Sequence, residues 1–224
     1  MEDVLKKLNE EENANKLSSI LDKITEGKIK VDDCSHIIKF LDDRRTSVRH
    51  SAILALRACK SPLAEEALIK ILKESADEYD LSYANSALSE IGTNKAVPHL
   101  INLLRHSKGD VKCTALWALN ELGDASLLPT FIEALQDRSV AVKAYAVLGI
   151  NRHGNETAIK PVIERIKTML KRKRIVESDD LINALGFLIR FEKDYEEIVE
   201  LFDWIKSKKW DFLFYAEKKW INSL

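Results

Sequence analysis

An isoleucine followed three positions later by a leucine recurs along this chain at an almost constant step: Ile38/Leu41, Ile69/Leu72, Ile101/Leu104 and Ile132/Leu135. Self-similarity at a step of about 31 residues marks an array of supersecondary units, each too small to bury its own apolar face. A second series follows each pair. Val48, Ala52, Ala55 and Leu56 are echoed by Val111, Ala115, Ala118 and Leu119, and again by Val142, Ala146, Gly149 and Ile150. The spacing puts each set on one face of a helix. The unit between carries Ala84, Ala87 and Leu88 in the same register, with Asp80 in the opening valine slot.

The punctuation keeps the same beat. Gly92, Gly123 and Gly154 stand where a left-handed residue would end the second helix of each unit. Pro98, Pro129 and Pro161 mark helix starts. Each unit is therefore expected to be two antiparallel helices that stack on the next unit. Ala52, Ala84, Ala115 and Ala146 fall where paired helices must approach closely, which large side chains would prevent. With only 7 Gly and 4 Pro, the chain lacks the turns that an all-β fold of 224 residues needs.

The residues that carry the repeat resemble the HEAT-repeat family, and in particular its phycobilisome-lyase-type branch. Leu41-Asp42, Val48-Arg49 and Ala52 through Leu56 match its pattern, as do Val111-Lys112 through Gly123 and Leu135-Gln136-Asp137 with Val142-Lys143 through Gly154. The resemblance implies an all-α chain, a right-handed α-solenoid of about five to six HEAT-like hairpins. The expected organisation is an N-terminal cap over 1–30, four repeats over 31–154, and degenerate repeats with an aromatic-rich C-terminal cap over 155–224, all in one continuous domain. Within the last part, a helix is expected from Asp179 to Phe191, followed by a pair formed by Tyr195–Lys206 and Trp210–Leu224.

Charge and cysteine content narrow the function. The 35 basic and 36 acidic residues leave a net charge of −1, so no overall field draws in nucleic acid or an anionic membrane. Cys34, Cys59 and Cys113 are odd in number, far apart in sequence and in no CxxC pair, which argues against a disulfide framework or a zinc site. No apolar run approaches the ~18 residues of a membrane helix, and the start Met1-Glu2-Asp3 is not that of a signal peptide. A cytoplasmic protein with no membrane partner is expected.

The candidate binding residues follow from the register. Nine positions after the valine slot come Arg57, Ser89, Asn120 and Asn151, a polar row one repeat apart that is expected to line a concave surface. A solvated helix face would show the same polarity. Arg49, Lys112 and Lys143 follow the valine slot directly. In the resembling family such a residue braces the next repeat through an acidic partner, and a basic ladder facing a ligand is the alternative. Trp117 lies on the flank where second helices meet. Leu54 and Leu148 in its slot argue for packing, whereas an aromatic anchor exposed in a groove would suit an interface. Six Lys or Arg between Arg165 and Arg174 form a local basic cluster, and Phe202, Trp204, Trp210, Phe212, Phe214, Tyr215 and Trp220 crowd the C-terminal tail as a cap or an interface.

Enzymatic motifs are missing. His36, His50, His99, His106 and His153 are followed by Ile, Ser, Leu, Ser and Gly, so the His-Glu dyads of iron-binding HEAT-like hydroxylases are absent, and His50 has Ser51 in the carboxylate position. There is no Gly-rich phosphate loop, nucleophile elbow or zinc-protease helix. No catalytic residue, cofactor or metal is expected. The reading is a non-catalytic adaptor or scaffold that binds another protein through Arg49, Arg57, Ser89, Lys112, Trp117, Asn120, Lys143 and Asn151. A nucleic-acid-binding solenoid is one alternative, using Arg49, Lys112, Lys143 and the 165–174 cluster. A bilin or small-molecule handler with a pocket near Trp117 and Tyr145 is the other.

Overall fold

The computed structural model describes residue 11, residues 13–31 and residues 33–224, and every regular element among them is helical. The part of the expected N-terminal cap on residues 1–10 and 12 lies outside the described residues. The chain divides into two compact units, 1–123 and 124–224.

In the first unit, α1 (Ala14–Thr25) starts at Asn13, whose side chain accepts from the N–H groups of Asn15 and Lys16. It buries Leu17, Leu21 and Ile24, a stripe at helical spacing. Three hairpins follow. The first is α2 (Ser35–Ile38), prolonged by a 3-10 turn over Lys39–Asp42, with α3 (Thr46–Cys59). The second is α4 (Pro62–Glu74) with α5 (Glu78–Ile91), and the third is α6 (Val97–Leu103) with α7 (Gly109–Leu122). Ser61 and Asp77 cap α4 and α5. The second helices form one layer, α1 on α3, α3 on α5 and α5 on α7, while α2, α4 and α6 form the other.

The second unit repeats the scheme. A 3-10 turn over Ala125–Leu127 leads into α8 (Leu128–Ala134), which packs on α9 (Val140–His153). Another, over Glu156–Ala158, leads into α10 (Ile159–Met169), which packs on α11 (Asp180–Leu188). Asp124 and Asn155 open these turns by accepting the N–H of Ser126 and Thr157. Then come α12 (Glu196–Trp204), a π turn over Ile205–Lys209, a 3-10 turn over Trp210–Phe212, and α13 (Tyr215–Asn222), which returns to α11. An alanine at Gly186 of α11 would put its Cβ 3.9 Å from Trp220, so the two helices meet there.

The core follows the expected face. Val48, Val111, Ala52, Ala84, Ala115 and Ala146 are fully buried, and Ala184 extends the alanine series into α11. In the first helices the deepest residues are Ile37, Leu68, Leu100 and Phe131, each one position before the isoleucines at 38, 69, 101 and 132 that disclosed the repeat. Gly92, Gly123 and Gly154 do end their helices, but in extended rather than left-handed conformation, with φ of −70°, −87° and −76°. At two of them the cause is close approach. A Cβ would lie 2.6 Å from the Leu88 carbonyl oxygen at Gly92, and 2.4 Å from that of Ile150 at Gly154. The left-handed residues at helix ends are Gly27 just past α1, with φ of 70°, and Lys60 after α3, with φ of 45°.

Candidate partner-binding face

The second helices present what their buried stripes leave over. In the first unit that outward face carries Tyr79, 59% exposed, and Trp117, 41% exposed. In the second unit it carries Tyr145, 37% exposed. Trp117 thus departs from the packed position implied by Leu54 and Leu148, which are half-buried in the same slot. Ala115 and Ala118 are fully buried, whereas Trp117, roughly 200° round the helix from Ala115, stays on the outer face.

The polar row spends much of its hydrogen-bonding capacity within each unit. In the first unit, Nη1 of Arg57 lies 3.1 Å from Oε1 of Glu90, and the Ser89 hydroxyl donates to the Ser86 carbonyl at 2.8 Å. Asn120 is buried, with its amide donating to Glu121 at 3.3 Å. In the second unit, Asn151 donates to Oδ1 of Asn183 at 3.5 Å. Buried Asn85, which the sequence did not single out, donates from α5 to the Val111 carbonyl and the Thr114 hydroxyl of α7.

The residues after the valine slot diverge. Arg49 braces the next repeat. Its Nε donates to Oδ2 of Asp80 at 3.0 Å, its Nη2 reaches Oδ2 of Asp77 at 3.4 Å, and its Nη1 bonds the Asp43 carbonyl at 3.1 Å. A carboxylate buried in the valine slot would be costly alone, and Arg49 with the Ser75 hydroxyl supplies what solvent no longer does. Lys112 and Lys143 are half-buried, and Lys143 borders an open groove of 370 Å³ between α8 and α10 with Gln136, Lys160 and Thr168.

A similar device recurs in the second unit, where buried Asp180 opens α11 and pairs with Arg165 of α10. Burial nonetheless holds the Asp180 carboxyl above the usual range, outweighing the opposing pull of Arg165. Arg174 makes a two-pronged pair with Glu217 of α13, at 2.7 and 2.6 Å, with its guanidinium over the Phe214 ring. The basic cluster from 165 to 174 is therefore not a uniform cationic surface. Its first and last arginines lock the fold, leaving Lys171, Arg172 and Lys173 exposed on the connecting loop beside Ile175 and Val176.

One grouping was invisible in the sequence. His50 of α3 places Nε2 3.2 Å from Oδ1 of Asp80 and 3.9 Å from Oδ1 of Asp77, carboxylates contributed by the next repeat. Tyr83 meets the imidazole edge-on, with ring centres 4.9 Å apart. Adjacent residues along the chain gave no hint, because the partners of His50 lie one repeat away.

Comparison with known proteins matches residues 35–111 and 97–175 to HEAT repeats. A search of curated proteins finds no match. Among solved structures, YibA of Escherichia coli superposes with a TM-score of 0.70 at 21% identity, covering 100% of this chain and 80% of its own. A designed armadillo repeat protein in complex with the peptide (KR)4 gives 0.57 at 21% identity, covering 84% of this chain and 98% of its own. An engineered protein gives 0.58 at 20% identity, covering 86% and 98%. At such identities the likeness is one of fold, that of repeat solenoids.

Proposed function

Because the chain belongs to the HEAT-repeat family, we propose that it is a non-catalytic scaffold that binds another protein through the outward face of its second helices. The observation that carries this is Trp117, an indole left 41% exposed on the outward face of α7. Tryptophans in such settings supply a large share of binding energy at protein interfaces. The designed armadillo repeat protein in complex with a peptide supports the reading, since a related fold there holds a peptide. Tyr79 extends the proposed contact surface of the first unit, and Asn151 with Tyr145 offers the second unit a candidate surface of its own. Among the described residues no helix is long and apolar enough to cross a membrane, and we place the chain in the cytoplasm as part of the same proposal.

The nucleic-acid alternative loses support where its cations are already engaged. Arg49, Arg165 and Arg174 face carboxylates of their own chain. The bilin alternative, which goes with the phycobilisome-lyase-type branch, requires a chromophore, and visible absorbance of the purified protein tests for one.

The test is affinity capture on the immobilised chain, comparing wild type with Trp117→Ala and Asn151→Ala at low and high salt. Both variants are expected to keep the wild-type melting temperature, and Trp117→Ala to lose the captured protein. Asn120→Ala is a poor probe because that amide is buried. Equal capture by all three proteins, or capture that nuclease abolishes and that falls steeply with salt, would defeat the proposal.

A further inference from the structure

We propose that His50, Asp77 and Asp80 form a binding site for one divalent transition-metal ion of the zinc type. Their ligand atoms, one imidazole nitrogen and two carboxylate oxygens, lie within 4.8 Å of one another.

The groups are arranged, not merely near. Arg49 reaches Oδ2 of Asp80 at 3.0 Å and Oδ2 of Asp77 at 3.4 Å, which leaves the Oδ1 atoms of both carboxylates facing His50. Outer contacts that fix the orientation of carboxylate ligands in this way are a regular part of metal centres. Tyr83 meets the imidazole edge-on, with ring centres 4.9 Å apart, and limits its rotation.

An independent observation points into the same space. Asp80 is only 6% exposed, yet its Oδ1 has no hydrogen-bond partner, and neither does the buried Nε2 of His50 that it faces at 3.2 Å. Two buried polar atoms of complementary ligand type, close together and out of hydrogen-bond geometry, are costly as they stand. A cation between them satisfies both. Ligand atoms at ~2.1 Å from a metal, separated by tetrahedral or octahedral angles, lie about 3.0 to 3.4 Å apart. The His50–Asp80 separation already meets this, while Oδ1 of Asp77, which also accepts the Tyr79 and Asp80 N–H groups, stands at 3.9 Å and has to draw about half an ångström closer.

The donor set selects the ion. One imidazole nitrogen with two carboxylates suits zinc and its first-row neighbours better than magnesium or calcium, which favour all-oxygen shells. The side chains of His50 and Asp77 are 19% and 32% exposed, so an ion can enter from solvent and retain water as a further ligand. With Arg49 supplying one positive charge against two carboxylates, a net negative charge remains to attract it.

The test is calorimetric titration of the full chain with Zn²⁺ alone, with Mg²⁺ in excess as competitor, for wild type, His50→Gln and Asp77→Asn. Asparagine still caps α5, so the second variant removes charge while keeping the helix start. Wild type is expected to bind one Zn²⁺ that excess Mg²⁺ does not displace, and to melt at a higher temperature with zinc. Each variant is expected to fold by circular dichroism and to bind at least about 100-fold more weakly, the upper end of what loss of an outer-shell partner costs. The inference fails if wild type shows no saturable Zn²⁺ binding, which would leave His50 and Asp80 as a plain His–Asp pair. It fails equally if both variants keep wild-type affinity, which would assign the zinc to exposed histidines elsewhere.

Discussion

Gly149 of α9 leaves the space that the ring of Phe131 of α8 fills: a Cβ on Gly149 would lie 2.4 Å from Cε1 of that ring. At the corresponding places the other hairpins pair smaller first-helix residues, Ile37, Leu68 and Leu100, with alanines Ala55, Ala87 and Ala118. The second unit has shifted volume from one helix to the other while keeping the layer closed. Gly149→Ala should therefore overpack the site at a cost of about 1 to 3 kcal/mol, partly offset by the ~0.5 to 1 kcal/mol that alanine gains over glycine within a helix. Phe131→Leu alone should open a cavity and also destabilise. The double variant should recover much of both losses, giving a coupling of about 0.5 to 3 kcal/mol in a urea-denaturation cycle. Strict additivity would mean that the two side chains do not limit each other.

Arg174 and Glu217 set a second prediction. The Glu217 side chain is 1% exposed and that of Arg174 14%, and Glu217 also accepts the Phe214 N–H at 2.9 Å. Glu217→Ala leaves a guanidinium buried without its anion and should cost about 3 to 5 kcal/mol, whereas replacing both partners with apolar residues of similar size should cost far less. Deleting residues 208–224 removes the same carboxylate and uncovers α11 at Gly186, so aggregation is the expected outcome. A truncated chain that stays monomeric with an unchanged melting temperature would show that α13 is not a cap.

How much of this was legible in the sequence depended on distance along the chain. The alanine faces and hairpin boundaries could be read because helical periodicity is local: Ala52 and Leu56 lie on one face whatever the tertiary structure. The expected helix from Asp179 to Phe191 emerged as α11 with its terminal turn for the same reason. Positions were easier to read than conformations. Gly92 and Gly154 were placed correctly as helix ends, but the Leu88 and Ile150 carbonyls that crowd them come into view only once the chain is folded. The Arg49 brace was expected from the family resemblance, but the other charge locks were out of reach. Arg174 meets a carboxylate 43 residues later, and His50 meets two on the next repeat, separations at which a single sequence carries no register. Asp80 in a valine slot was the one local sign of such a lock, and it reads backwards only to Arg49 once the stacking of α3 on α5 is known.

Acid should weaken the first unit through Asp43. Its carboxylate accepts from the Arg45 side chain at 2.9 and 2.7 Å and from the Arg45 N–H at 2.8 Å, and the side-chain contact is the main force holding its pKa below the usual value. A carboxyl whose pKa is lowered on folding binds fewer protons in the folded state than in the unfolded one. Its contribution is therefore complete above the unfolded value of about 3.9 and is lost as the pH falls through the lower folded value. Asp43→Asn should be less stable than wild type at about pH 7, and the difference should shrink as the pH drops below about 4. Urea midpoints across that range check it, and a gap that widens in acid would contradict the assignment.

Cys59 should be a poor nucleophile despite being only half-buried. Desolvation at the end of α3 pushes its thiol up to about 12, with the Cys34 thiol the next largest influence, so two cysteines far apart in sequence act on one another in the fold. Only the thiolate attacks alkylating reagents, and at about pH 8 a thiol with that pKa is ionised to roughly one part in ten thousand. Native Cys59 should then be alkylated by iodoacetamide orders of magnitude more slowly than in urea, with a rate that climbs about tenfold per pH unit. Cys34→Ala removes one of the raising influences and should speed the reaction while the α1–α3 packing persists, which peptide mapping of the labelled site resolves. Alkylation at the rate of an unperturbed thiol, levelling off by about pH 10, would show that Cys59 ionises as freely as it does in the unfolded chain.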